Sequence, residues 1–217
     1  MSKQIKYLNE SGSIISAEQQ ASLEDYHKLT FIDGSIKIAE MFYVLKNITH
    51  REVSYFMDES ESKNAILNRY SDTINKVNCI LYFNKQELNG FTKWDWEAYS
   101  KDSILKFKGN EVYDFNHKLI FNCSFDLTTN ELQEGAFKCY YANESEDPNI
   151  DRLLKFTYDE NGDIDLIFDS NGNYGYAEAF SLNEFLADTN FSQVLFSWDQ
   201  HTYFHSVNPF LPPSSKI

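Results

Sequence analysis

His201-Thr-Tyr-Phe-His205 is the one close histidine pair in the chain. On a helix, an i,i+4 spacing would put both rings on one face, within reach of one metal ion. The intervening Thr202, Tyr203 and Phe204 favour a strand, however, and four residues of strand span about 13 Å, too far for shared coordination. A zinc protease also needs a glutamate directly after the first histidine, where this chain has Thr202. The pair therefore reads as two surface or partly buried histidines. Asp159-Glu-Asn161-Gly-Asp163-Ile-Asp165 alternates oxygen-bearing side chains as calcium loops do, but those loops turn sharply on a glycine at position six, and Ile164 stands there. Asp169-Ser-Asn171-Gly-Asn173 fails in the same way with Tyr174. Both segments read as hairpin turns. Cys79, Cys123 and Cys139 have no C-x-x-C spacing and sit in apolar runs, as small buried hydrophobes do. A cysteine and a histidine could still meet only in the fold, although a thiol buried in such surroundings is inert. With no nucleophile elbow, phosphate loop or dinucleotide fingerprint, the sequence assigns no catalytic residue, no metal ligand and no cofactor.

Charge is more informative. The chain has 217 residues and a net charge of −14. From Glu144 onward there are 13 acids against 3 bases, while the first 143 residues carry 20 against 16. An acidic block on a nearly balanced body argues against nucleic acid, whose phosphates need clustered Lys and Arg, and against an anionic membrane surface. No stretch approaches a membrane span and Met1-Ser-Lys-Gln-Ile-Lys6 has no apolar core of a signal peptide, so the expected location is cytoplasmic. The sequons at Asn47 and Asn122 are then chance matches. The acids either keep an aromatic-rich chain soluble or face a basic partner. In the second case Asp159, Glu160, Asp163 and Asp165 would be at the contact, with Tyr174 and Tyr176 on the neighbouring strand adding area.

The elements that must position these residues begin with Leu153 to Phe180. Strand-length runs are separated twice by Asn-Gly, which accepts positive φ at turns, and this gives a three-stranded meander. Leu154, Phe156 and Tyr158 share one face, and strict alternation gives Ile164, Leu166 and Phe168 the same role on the next strand. That face should be core. Upstream, Ile5 to Leu8 reads as a strand, and Ser16 with Gln19 as a capping box. Asp33-Gly34 reads as a hairpin turn, Glu52 to Met57 as a strand, and Glu61–Asn75 as the longest helix. Cys79 to Phe83 reads as an apolar strand, Asn89-Gly90 as the start of another turn, and Thr92 to Tyr99 as strand or irregular. A second meander over Ile104 to Leu127 would turn at Gly109-Asn110 and Asn116-His117, with Phe137 to Ala142 following. Ser181 with Glu184 caps a helix over Leu182 to Ala187, and Val194 to Trp198 and Thr202 to Phe204 would be late strands. The expected fold is α+β: antiparallel β-meanders with two or three short-to-medium helices. It forms a single domain over residues 1–217, or subdivides into 1–143 and 150–208 around an acidic linker, 143–149.

A small, acidic, aromatic-rich chain with this strand–Asp/Asn-Gly–strand texture, as in Tyr158-Asp-Glu-Asn-Gly162 and Phe31-Ile-Asp-Gly34, resembles the immunity proteins of bacterial polymorphic-toxin systems. The resemblance implies tight binding to one cognate toxin and blockage of its active site. It carries over no functional residue. The leading expectation is a non-catalytic protein-binding module for a basic, toxin-like protein. A structural or scaffold protein comes next, and then a small-ligand binder or enzyme.

Overall fold

The computed structural model describes residues 2–71, 78–142, 152–169, 178–189 and 196–214. Strand accounts for 51% of the described residues and helical turns for 14%, which overturns the α+β expectation: the described protein is mostly β. Among the described residues, thirteen strands follow one another in the hydrogen-bonding order β13-β12-β11-β10-β9-β8-β7-β6-β5-β4-β3-β1-β2. They are β1 Lys3–Leu8, β2 Ile14–Ile15, β3 Tyr26–Ile32, β4 Ser35–Leu45, β5 Ile48–Phe56, β6 Asn78–Leu88, β7 Phe91–Tyr99, β8 Leu105–Tyr113, β9 Leu119–Ser124, β10 Ala136–Ala142, β11 Arg152–Tyr158, β12 Ile164–Asp169 and β13 Glu178–Phe180. The helices α1 Ala17–Gln20, α2 Lys63–Ser71 and α3 Leu182–Ala187 are too short to build a layer of their own.

The local signals that hold are those fixed by backbone chemistry. Asp33 and Gly34 take φ of 49° and 87° between β3 and β4, and Asn89-Gly90 does the same between β6 and β7. Ser16 with Gln19 and Ser181 with Glu184 both form complete capping boxes. Gly109-Asn110, expected at a turn, lies inside β8. Neither residue takes positive φ, and Gly109 pairs with Ser124 of β9. The pairing of β5 with β6 is parallel, and α2 lies in its crossover.

Two compact units make up the chain: residues 1–84 with 95–108, and residues 85–94 with 109–217. In the first, Ile66, Leu67 and Tyr70 of α2 pack on Val53, Tyr55, Cys79 and Leu81. In the second, Phe121, Leu154, Phe156, Tyr158 and Ile167 form a sheet face that is covered by Phe185 of α3 and by Phe196, Tyr203, Phe204 and Val207. Leu154, Phe156 and Tyr158 are thus core, as alternation requires. Leu166 and Phe168 are not. Tyr158 pairs with Ile164 but Phe156 pairs with Ile167, so β12 carries one extra residue between them. That bulge moves the inward face of β12 to Ile167 and Asp169. Its unpaired backbone is met by Thr157, whose hydroxyl donates to Leu166 O and accepts from Leu166 N, each at 3.1 Å.

The expected late strand Thr202 to Phe204 is a 3₁₀ turn, as is Trp198–Gln200; of the expected strand Val194 to Trp198, residues 194 and 195 lie outside the described residues. A strand would turn adjacent residues to opposite faces, yet Tyr203 and Phe204 are both buried. The 3₁₀ path lets this segment lie across the sheet and bury both rings. The expected linker 143–149 lies outside the described residues.

Candidate interaction surface

The β11–β12 turn is built by one carboxylate. Asp159 Oδ1 accepts from the backbone N–H groups of Asn161 and Asp163, each at 2.9 Å, while Asp159 N donates to Asp163 O and Gly162 N to Asp159 O. These donors, the Asp163 N–H foremost, hold the Asp159 carboxyl below its ordinary range. Asp159 is therefore a turn-forming residue. Glu160, Asp163 and Asp165 are exposed, and among the described residues none of their carboxylates is in an ion pair or a side-chain hydrogen bond. The structure thus brings Asp159, Glu160, Asp163 and Asp165 together at one hairpin and leaves three of the four facing solvent. Tyr174 and Tyr176 lie outside the described residues.

Beneath the turn runs the segment 196–211, here called the strap. Val207 N donates to Gly162 O at 3.0 Å. Gly162 has φ +86°, and a Cβ built on it would stand 2.5 Å from Val207 Cγ1, so the turn rests on the strap at its glycine. The strap is fastened to the sheet by side chains whose polar ends reach its carbonyls. Lys138 of β10, buried between Phe121 and Phe156 on the neighbouring strands, donates from Nζ to Tyr203 O at 2.6 Å, Ser206 O at 2.8 Å and Pro209 O at 3.0 Å. Its ammonium also lies 3.8 Å from the centre of the Tyr203 ring. Burial pushes this ammonium down to about 7 from the ordinary 10.5. Tyr158 of β11 donates its hydroxyl to Phe204 O at 2.8 Å, and within the strap Tyr203 donates to Phe210 O at 2.7 Å. Burial raises both phenols well above their ordinary range.

Lys138 escaped the sequence reading, although a signal was present. Ala136, Lys138 and Tyr140 share one side of a strand, so a lysine stands at an inward position between apolar residues.

The histidine pair belongs to the strap as well. His201 Nδ1 lies 3.0 Å from Ser197 O and stacks on Phe196; His205 Nε2 lies 2.9 Å from Trp198 O and stacks on Trp198. Each ring is thus engaged by its own carbonyl and aromatic neighbour. Among the described residues, no group of three or more His, Cys, Asp or Glu is placed to hold a metal ion. The thiols of Cys79 and Cys139 are raised by burial to about 12 and about 11, far from the thiolate that nucleophilic chemistry uses.

In the first unit the sheet face opposite α2 carries a hollow of about 470 Å³. Register explains it: Leu29, Ala39, Ser54 and Ile80 form one cross-strand row, and the small pair Ala39–Ser54 leaves space between larger neighbours. The next row, His27–Met41–Glu52–Asn78, strings its polar groups along the sheet rather than around one point.

Comparison with known protein families, curated proteins and solved structures gives no match. No helix among the described residues is long and apolar enough to cross a membrane.

Proposed function

We propose that this chain is a non-catalytic binding module for a basic protein, in the manner of a cytoplasmic immunity protein that occupies a cationic toxin. The observation that carries the reading is the β11–β12 turn. Glu160, Asp163 and Asp165 are exposed and have no side-chain partner among the described residues, on a backbone that Asp159 and the strap fix from below. Carboxylates held this way raise the association rate of a cationic partner without an ordering cost at each encounter. Tyr174 and Tyr176 would flank the contact. Cys79, Cys123 and Cys139 are buried and in no disulfide, which suits a reducing compartment.

The test is kinetic. The product of the adjacent gene is co-expressed with the chain, the complex purified, and association measured by stopped flow from about 20 mM to about 500 mM salt. Asp163→Lys with Asp165→Lys should leave the fold intact, slow association about tenfold or more and flatten its salt dependence. An association rate indifferent to both charge reversals and salt would remove this surface from the reading.

A further inference from the structure

We propose that the strap, residues 196–211, is a latched cover over the aromatic core, and that Lys138 is the latch that keeps the β11–β12 turn in its presenting shape. The strap has little regular structure of its own, with only two 3₁₀ turns among its described residues. Its carbonyls face an apolar interior, where an unpaired carbonyl is costly. An ammonium group has three donors and no acceptor, and Lys138 Nζ places all of them on strap carbonyls. One side chain thereby fastens three points of an irregular segment, and no carboxylate pairs with Lys138 among the described residues. The hydroxyl of Tyr158 adds one more fastening, and Tyr203, itself in the strap, ties the segment to its own Phe210 O.

The route from latch to turn is short and contiguous. Ser206 and Pro209, two of the three Lys138 acceptors, bracket Val207 in sequence. Val207 in turn donates to Gly162 O and packs against the Gly162 α-carbon. Gly162 sits between Glu160 and Asp163. Opening the strap therefore removes the support under the turn, while the β10–β11 pairing, which is backbone to backbone, survives. Only the consequence for partner binding rests on the proposed function. The mechanical link stands or falls without a partner.

Amide hydrogen exchange on the full chain tests it, since exchange reports local opening residue by residue. In Lys138→Met the Val207 amide and the turn amides of Asp159 and Gly162 should exchange about tenfold faster or more, with the β11 amides unchanged. Tyr158→Phe, which keeps the ring and deletes one fastening, should accelerate the same amides by a smaller factor, and it carries the test if Lys138→Met does not fold. Unchanged exchange at Val207 in the variant that folds overturns the latch. So does equal acceleration of the strap and β11, which would mark global unfolding instead. If the strap amides accelerate and the partner's association rate does not change, the latch stands and the acidic-turn reading falls.

Discussion

Lys138 makes stability depend on pH in a direction opposite to that of an ordinary surface lysine, and the size of the effect follows from its burial. In the unfolded chain the amine titrates near 10.5; in the folded protein, burial brings it to about 7. Between these values the unfolded state binds a proton that the folded state does not, so stability rises with pH across that window. Other buried groups limit the upper end. Cys79 and Cys139 ordinarily titrate at 9 and are raised to about 12 and about 11, and the Tyr158 and Tyr203 phenols are raised above 10. Above pH 9 the unfolded chain loses those protons first, and stability falls again. The clean window is therefore pH 7 to 9, where each unit is worth about 1.4 kcal/mol, for a ceiling of about 3 kcal/mol. The three carbonyl contacts favour the charged amine and make the real gain smaller. Urea unfolding followed by Trp198 fluorescence, in a background with Trp94→Phe and Trp96→Phe, reads the second unit. The midpoint should climb by up to about 1 M between pH 7 and 9, and Lys138→Met should abolish the climb. A midpoint that is flat or falling in the parent, or a climb that persists in Lys138→Met, would refute the assignment.

Two further outcomes follow from the second unit's packing. Phe156 is fully buried against Phe196 and Phe204, at ring separations of 5.2 and 4.9 Å, so Phe156→Ala should cost about 3–5 kcal/mol in equilibrium unfolding. A loss below about 1 kcal/mol would show that the ring is not core. Gly162→Ala combines a positive φ with a Cβ 2.5 Å from Val207 Cγ1, and should lower stability by about 1–3 kcal/mol, read as a drop in melting temperature. A variant as stable as the parent would show that the turn does not rest on Val207.

How much of this was legible in the sequence depended on the range of the physics involved. Asp33-Gly34 and Asn89-Gly90 could be read because positive φ is a property of the residues themselves. The two capping boxes could be read because all their partners lie within three positions. The inward face of β11 followed from alternation, which is equally local. The same rule failed one strand later: the bulge opposite Thr157 adds a residue to β12 and passes the core face from Leu166 and Phe168 to Ile167 and Asp169. Nothing in Asp-Leu-Ile-Phe-Asp announces that shift, because it depends on pairing with β11. The acidic turn was legible as a cluster, but not the division of labour within it, where Asp159 shapes the backbone and Glu160, Asp163 and Asp165 face solvent. Reading 202–204 as a strand failed for a tertiary reason as well. Tyr203 and Phe204 have the composition of a strand, but Lys138, 65 residues upstream of Tyr203, supplies the donor that lets the backbone there run irregularly over an apolar face. A lysine at an inward strand position is costly unless something distant meets its charge. Here the distant group is a segment whose own carbonyls need donors, so each would be destabilising in this core without the other. That mutual need ties the acidic turn, through Gly162 and Val207, to a residue on the far side of the hairpin.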